Sequence, residues 1–457
     1  MTGGGGRTVP FRIVVTRQSA PPPAPAGLPV RTRVAAGAGA AVAGLSRRLG
    51  RGGGSVVGGR ATLAIDPHAL QHLAAGHAVA LVSGTNGKTT TTSLLRAALS
   101  TTGPVVTNLL GANLPPGLAA ALAAGPPAAP AALEVDEAWL RRVTDATSPR
   151  VVVLLNLSRD QLDRNNEVRR LSSAWRATFA DRPGTTVVAN ADDPLVVWGA
   201  GASPDVVWVG AGQPWTADAS GCPNCGSRIV FDTPTTGVVD RHAAGWACSA
   251  CDLRRPPLAV WIEDGSIVGD GWSVPVHLAL PGRCNQANAA LALTAAVRLG
   301  AEPGPAMEAM AATEEVVGRY RTVDVAGVDA RLLLSKNPAG WLEVFDMLAP
   351  PPGPVVVAIN ARIADGKDPS WLWDVPFELL AGRRVVATGE RSADLAVRLH
   401  YAEVDHVRVP DVMQAVHEAA RHAAEVFAGP GAQGRPAIDV VANYTPFQEL
   451  RQRLGVR

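Results

Sequence analysis

Ser83-Gly84-Thr85-Asn86-Gly87-Lys88-Thr89-Thr90 is the run whose residue types most directly imply chemistry. Small residues let successive backbone N–H groups converge on an anion, and a helix starting at the end of the run adds the positive end of its dipole. A lysine placed there reaches terminal phosphates, and the hydroxyl that follows it can take a Mg²⁺ position. The run departs from the usual phosphate loop in having Val82 at the place of the first glycine. We therefore expect an ATP-type site built from Gly84, Thr85, Asn86, Gly87, Lys88, Thr89 and Thr90. The second signal is Cys222-Pro223-Asn224-Cys225 with Cys248-Ser249-Ala250-Cys251. Thiolates at Cys222, Cys225, Cys248 and Cys251 would close a tetrahedral Zn²⁺ site with no open position, which points to folding rather than catalysis. Arg228, Arg241, Trp246, Arg254 and Arg255 are scattered around the cysteines, which argues against nucleic-acid binding. The fifth cysteine, Cys284, is expected to be a packed or inert thiol.

These residues need a scaffold, and the pattern around them specifies one. The apolar run from Ala78 to Ser83 reads as a buried strand and Thr89 to Leu99 as a helix. Further strands are expected at 104–107, 131–135, 151–155 and 186–190 with helical stretches between them, the alternation of a parallel α/β sheet. From about 205 to 270 the texture turns to short Gly-, Pro- and Trp-punctuated segments carrying the paired cysteines, which reads as an inserted zinc ribbon. Helices are expected at 285–299 and 306–312, and a C-terminal Rossmann-like α/β block from 318 to 457 has strands at 354–359, 384–387 and 437–441. Residues 1–28 join a glycine run to a proline-rich stretch and read as a disordered extension, leaving 29–317 as the central ATP-binding domain. With 47% apolar residues in 457, the chain has ample material for a core. A net charge of +2 gives no electrostatic argument for nucleic acid. Only Lys88, Lys336 and Lys367 are lysines, so any lysine-dependent chemistry has three candidates. Paired cysteines and the lack of a long apolar stretch lead us to expect a cytoplasmic protein. Val34 to Leu45, flanked by Arg31, Arg33, Arg47, Arg48 and Arg51, reads as an exposed helix, with contact to an anionic membrane surface as the alternative.

Five segments in order resemble the Mur ligases, the ATP-dependent amide-forming enzymes of peptidoglycan synthesis. The glycine-rich loop 84–90 is similar to their nucleotide loop, and Glu134 ends a strand where that family carries a Mg²⁺-associated glutamate. The segment from Asn156 to Asp163, with Asp160 inside it, resembles their Asn-x-x-x-Asp-His-Leu-Asp pattern with Gln161 in place of histidine. Asn190-Ala191-Asp192-Asp193 resembles a family turn, and Gly282 to Ala289 a segment whose first asparagine, here Asn285, lies near the adenine. The resemblance implies that Lys88, Thr89, Glu134, Asp160, Asp193, Asn285 and Arg319 serve Mg-ATP. It further implies that Lys336, in Leu334-Ser335-Lys336, clamps phosphate or the substrate carboxylate. Two departures matter: Leu334 stands near the place of a ribose-contacting aspartate, and no lysine between Lys88 and Lys336 can fill the family's modified middle-domain position. Those departures, the cysteine insert and the run from Asp365 to Asp374 resemble the branch that pairs with a GatD-type glutamine amidotransferase. In that branch the complex uses ATP and glutamine to amidate the α-carboxylate of D-glutamate in the lipid II stem peptide at the inner membrane face. It implies an acyl phosphate made on this chain and attacked by ammonia from the partner, a heterodimer, and an aspartate lent to the partner's Cys-His pair. Asp368 is favoured, Asp365 and Asp374 remain open, and Trp371 and Trp373 would anchor the interface. The rival readings are a stand-alone Mur or folylpolyglutamate-type ligase and a nucleotide-switched zinc-ribbon binding module.

Overall fold

The computed structural model describes residues 27–49, 54–108, 112–159, 168–212, 214–232, 245–314, 316, 320–427 and 435–455. Nearly all of the expected extension over 1–28, together with Asp160 and Arg319, lies outside these residues.

Three helices come first, α1 Val30–Arg48, α2 Ser55–Ile65 and α3 Ala69–Ala74. Strands and helices then alternate: β1 Val79–Ser83, α4 Lys88–Leu99, β2 Val106–Thr107, α5 Pro115–Ala124, β3 Ala131–Glu134, α6 Leu140–Thr147, β4 Val151–Leu154, α7 Val168–Phe179, β5 Thr186–Asn190, α8 Pro194–Ala200 and β6 Val206–Gly210. A small hairpin, β7 Ile229–Phe231 and β8 Trp246–Cys248, precedes the meander β9 Val260–Glu263, β10 Ser266–Gly269 and β11 Trp272–Pro275. Helices α9 Arg283–Arg298 and α10 Pro303–Ala311 follow. The last block is β12 Tyr320–Val325, β13 Val328–Leu334, α11 Pro338–Met347, β14 Val355–Ala358, β15 Val385–Thr388, α12 Ser392–Tyr401, β16 His406–Arg408, α13 Val412–Phe427, β17 Ala437–Ala442 and α14 Tyr444–Arg453.

A strand buried at every position must be covered on both faces. In β1 the side chains divide by the period of two, with Ala80 and Val82 in a core shared with α4, α9 and α10, and Val79 and Leu81 in a core with α3, α5 and α6. Its sheet runs β11-β10-β9-β6-β5-β4-β1-β3-β2, parallel from β2 through β9 and antiparallel over the meander. Because β3 lies on one side of β1 and β4 on the other, the chain reverses direction of winding at β1. That switch point opens a crevice at the carboxyl ends of the strands, where ligands of such sheets bind.

The second sheet runs β12-β13-β17-β14-β15-β16, with only β12 antiparallel. One face packs on α13 and α14 and the other on α11 and α12. Two features depart from the sequence reading. The stretch from 205 to 270 is not one inserted unit, because β6, β9 and β10 hydrogen-bond into the large sheet; the separate hairpin lies between β6 and β9. The hairpin β12-β13 was not expected, since its turn is Ala326-Gly327, both at positive φ, without the Asn-Gly pair that signals such turns.

Candidate active site

The glycine-rich loop leaves β1 at the switch point and ends as the first turn of α4. Gly87 caps that helix at φ 83°, a left-handed conformation, and a Cβ there would come within 2.7 Å of Asn288 Oδ1. The left-handed backbone therefore favours glycine, and any side chain there would also have to displace the Asn288 amide. Asn156, at the exit of β4, clamps the loop from beneath. Its Oδ1 accepts from the Asn86 amide at 2.9 Å, its Nδ2 donates to the Asn86 carbonyl at 3.1 Å, and its carbonyl accepts from the Thr85 amide at 2.9 Å. Thr85 Oγ1 and the backbone of Ser158 complete the clamp at 3.0 Å each way. From the second sheet, Asn337 at the start of α11 exchanges amide hydrogen bonds with Asn86 at 3.2 and 3.3 Å. The loop is therefore held by both sheets.

Lys88 Nζ folds back over the loop, donating to the carbonyls of Gly84 at 2.5 Å and Thr85 at 3.1 Å and pairing with Glu137 at 3.0 Å. Burial raises the Glu137 carboxyl above its ordinary range, opposed by the Lys88 charge. Thr89 Oγ1 donates to Glu134 Oε2 at 2.9 Å, and Asn113 Nδ2 donates to Glu134 Oε1 at 3.2 Å. Asn108 bonds the Glu134 backbone at both N and O at 2.8 Å, fixing the strand end that carries this carboxylate. A hydroxyl and a carboxylate in contact beside a phosphate-type loop are the hard oxygen donors that Mg²⁺ prefers. Loop, lysine and oxygen donors thus fit a Mg-nucleotide, with Thr90 on the same first turn.

Asp193 has no exposed surface, and burial pushes its carboxyl up to about 6. Its oxygens accept from the amides of Leu157, Leu195 and Val196 at 2.8 to 3.3 Å, so it caps α8 and anchors the exit of β4. It shapes the crevice from behind rather than facing a ligand, unlike its sequence expectation. Asp192 does face the cleft and pairs with Arg255 at 2.6 Å. A cavity of about 560 Å³ opens between the two sheets and the hairpin. Asn156, Asn190 and Asn288 line one side, Phe231 and Trp246 of the hairpin a second, and Phe345 of α11 a third. A smaller pocket beside it brings together Asn86, Gly87, Thr89, Thr90, Asn285 and Lys336. Glu343 borders both pockets, and burial raises its carboxyl to about 7. Cys284 borders both too, and burial, with Glu343 and Asp346 nearby, keeps its thiol well above its usual value.

The four cysteines converge at the hairpin. Their sulfurs lie within 4.8 Å of one another, with Cys222 and Cys251 at 3.7 Å and Cys225 and Cys248 at 3.4 Å, and none forms a disulfide. A zinc tetrahedron with Zn–S near 2.3 Å spaces its sulfurs by about 3.8 Å. The geometry fits that ion. Trp246 ties the hairpin to the sheet by donating to the Ala191 carbonyl at 3.1 Å.

Of the three candidate aspartates after β14, Asp365 is buried and holds the start of α14 through the Thr445 amide at 2.7 Å and hydroxyl at 2.5 Å. Asp374 lies 3.7 Å from Arg159 of the loop that follows β4. Asp368 is exposed, and the Ser370 amide at 2.9 Å and the Ser370 hydroxyl keep its carboxyl low. Trp371 is a core residue stacked on Trp341, so it anchors no interface; Trp373 is 56% exposed beside Tyr401. Sequence reading missed Glu137, Asn113, Asn337, Glu343 and the Asp192–Arg255 pair. Their partners are distant in sequence, although Glu137, Asp192 and Asn337 each lie within three residues of a position the sequence had singled out.

The chain matches the Mur ligase middle domain over residues 82–222 and the MurT ligase C-terminal domain over 334–447. It is 31% identical to the lipid II isoglutaminyl synthase (glutamine-hydrolyzing) subunit MurT of Streptococcus pneumoniae (strain ATCC BAA-255 / R6), over 77% of this chain and 83% of that protein. Identity to the subunit of the same name from Staphylococcus aureus (strain N315) is 28%, over 79% and 85%. The solved pseudomurein peptide ligase type C from Methanothermus fervidus superposes with a TM-score of 0.62 at 21% identity, over 83% of this chain and 78% of that one, a likeness of fold. The architecture is the α/β Mur-ligase fold with a four-cysteine cluster in a small antiparallel insert, and the chain belongs to the Mur ligase family, in its MurT branch.

Proposed function

We propose that this chain is the carboxylate-activating subunit of a lipid II isoglutaminyl synthase. Mg-ATP would bind at the loop 84–90, and a carboxylate oxygen of the stem-peptide D-glutamate would attack the γ-phosphorus and release ADP. Ammonia from a glutaminase subunit would then add to the carbonyl carbon of the acyl phosphate, and loss of phosphate and a proton would leave the amide. The observation that carries the reading is the loop at the switch point, with a Thr89–Glu134 oxygen pair at its mouth and Asn337 of the second sheet locked onto it. Catalysis of this kind rests on positioning and charge neutralisation.

Lys88 would leave its loop carbonyls for the γ-phosphate, and Glu137 would stay behind as its buried partner. Thr89 and Glu134 would hold Mg²⁺, which neutralises phosphate charge when bound. Lys336, beside the same pocket with its ammonium 5.2 Å from the Tyr444 ring centre, would clamp phosphate or carboxylate. Asn285 would lie near the adenine, and Asp160 and Arg319 complete the proposed set. Because ammonia is the nucleophile, no amino-acid pocket is required, in keeping with the departures in the C-terminal block such as Leu334. Asp368 is the carboxylate best presented to a partner's histidine, since Asp365 is occupied by Thr445.

The test is mass spectrometry of lipid II incubated with the chain, Mg-ATP and ammonium, reading the ~1 Da loss of amide formation. Lys88→Ala should lower the yield at least ~100-fold, the scale of removing a charge that stabilises the transition state. Its fold should persist, because a Glu137 carboxyl already raised by burial can take a proton once Lys88 is gone. Wild-type yield from this variant would refute the nucleotide site.

A further inference from the structure

The first 65 residues hold nine arginines and no acidic residue, which leaves 33 basic residues against 40 acidic ones in the other 392. A chain of net charge +2 is therefore a cationic segment joined to an acidic body. The described part of that segment is the pair α1 and α2. They pack through small residues: a Cβ on Gly39 would lie 2.7 Å from the Gly58 carbonyl, and Thr32, Ala35, Gly39 and Ala43 form the buried stripe. Thr32 Oγ1 donates to Asp66 at 2.6 Å, fixing the start of α1.

The opposite side of α1 has no cover among the described residues. Val30, Val34 and Leu45, with Leu49 just past the helix end, are 66, 59, 58 and 61% exposed. At 100° per residue they share one face with Ala38 and Ala41 between them. Arg48 lies at its edge and Arg33 beside it, Arg47 is exposed farther round the same end of the helix, and none of the three is ion-paired to a described residue. An apolar stripe edged by arginines is the pattern of a helix that lies in a membrane interface, its apolar side among acyl chains and its cations among anionic headgroups. No helix among the described residues is long and apolar enough to cross a membrane, so lying flat is the mode open to α1.

We propose that the outer face of α1 docks on an anionic lipid bilayer. The occupant follows from charge: nine arginines without an acid in 65 residues match a surface of anionic headgroups. The proposal deepens the functional reading on which it rests, since a lipid-linked substrate would present its carboxylate near that surface. The Gly39–Gly58 contact joins α1 to α2, and Gly59 of α2 packs directly against the Pro116 carbonyl of α5, so the helix pair is a fixed part of the body and docking would orient the cleft as well as hold it nearby.

The test is flotation of the full chain with vesicles of phosphatidylglycerol in phosphatidylcholine, against phosphatidylcholine alone, in low and high salt. Binding is expected only to the anionic vesicles and should weaken with salt. Two triple variants, Val34→Ser/Leu45→Ser/Leu49→Ser and Arg33→Gln/Arg47→Gln/Arg48→Gln, should each lower the bound fraction about tenfold at an unchanged melting temperature. Equal binding to both vesicle types, no binding, or unaltered binding by the serine variant overturns the proposal, the last by assigning the attraction to residues 1–26. So does a wild-type dimer that the serine variant turns into a monomer, which would make the face a contact between copies. On a water-soluble stem-peptide substrate the serine variant should match wild type, and it should lag on lipid II in vesicles. If wild type amidates neither, the functional reading falls while the flotation result stands on its own.

Discussion

Glu343 shows what a single carboxyl can do in a cleft meant for an anion. Burial raises it to about 7, so it is largely neutral at pH 6 and largely charged at pH 8. A charged Glu343 beside the proposed nucleotide pocket would repel phosphate, hence nucleotide affinity should rise as pH falls from 8 to 6, by a few-fold for a partly screened charge. Calorimetric titration of ADP across that range checks it. Glu343→Gln should flatten the profile, and an unchanged slope in the variant would assign the effect to the nucleotide's own phosphates. Asp368 invites a different separation. If its exposed carboxylate serves a partner's histidine, Asp368→Asn should cut glutamine-driven amidation by about 10²-fold or more and leave ammonium-driven amidation intact. Equal loss with both nitrogen sources would place Asp368 in this chain's own chemistry.

At the scale of elements, the cysteine hairpin is a wall of the large cavity as well as a candidate metal site, because Phe231 and Trp246 line the space and the cysteines flank them in sequence. Cys222→Ser, or stripping the ion with a chelator, should lower zinc content and melting temperature and also weaken ADP binding by about three- to tenfold. Unaltered ADP affinity after metal loss would confine the hairpin to stability. The same elements show what sequence could reveal. The loop 84–90 and the cysteine pairs were legible because their chemistry is local, and β1, β4 and β5 because strands buried on both faces read as apolar runs. The hairpin β12-β13 was hidden by an Ala-Gly turn, the limits of the insert by strands that only the sheet order assigns, and the Lys88–Glu137 pair by a separation of 49 residues. Trp371 and Trp373, two positions apart, face core and solvent, a distinction that a short irregular turn does not encode in its pattern.

On the scale of the whole molecule, two sheets meet over one loop, and their contact is made by neutral amides and by charged pairs at the rim. Arg283 donates from its backbone and side chain to Asp346 at 2.8 and 2.7 Å, while the Asn86–Asn337 pair sits deeper against the phosphate loop. Salt screens the first kind of contact and barely touches the second. The order of strands in the second sheet has a further consequence for how the molecule is made. β17 follows every other described strand in the sequence, yet it lies between β13 and β14 and supplies the central ladder on both sides. Until Ala437–Ala442 leaves the ribosome, β13 and β14 have no native neighbour on their facing edges, and wholly apolar β14 and the Leu332–Leu334 end of β13 are open to mispairing. The first sheet draws only on residues before 276 and can form during translation. The second must wait for β17, so a truncation before Ala437 would leave the first sheet and release a nascent chain with two exposed strand edges for chaperones to guard.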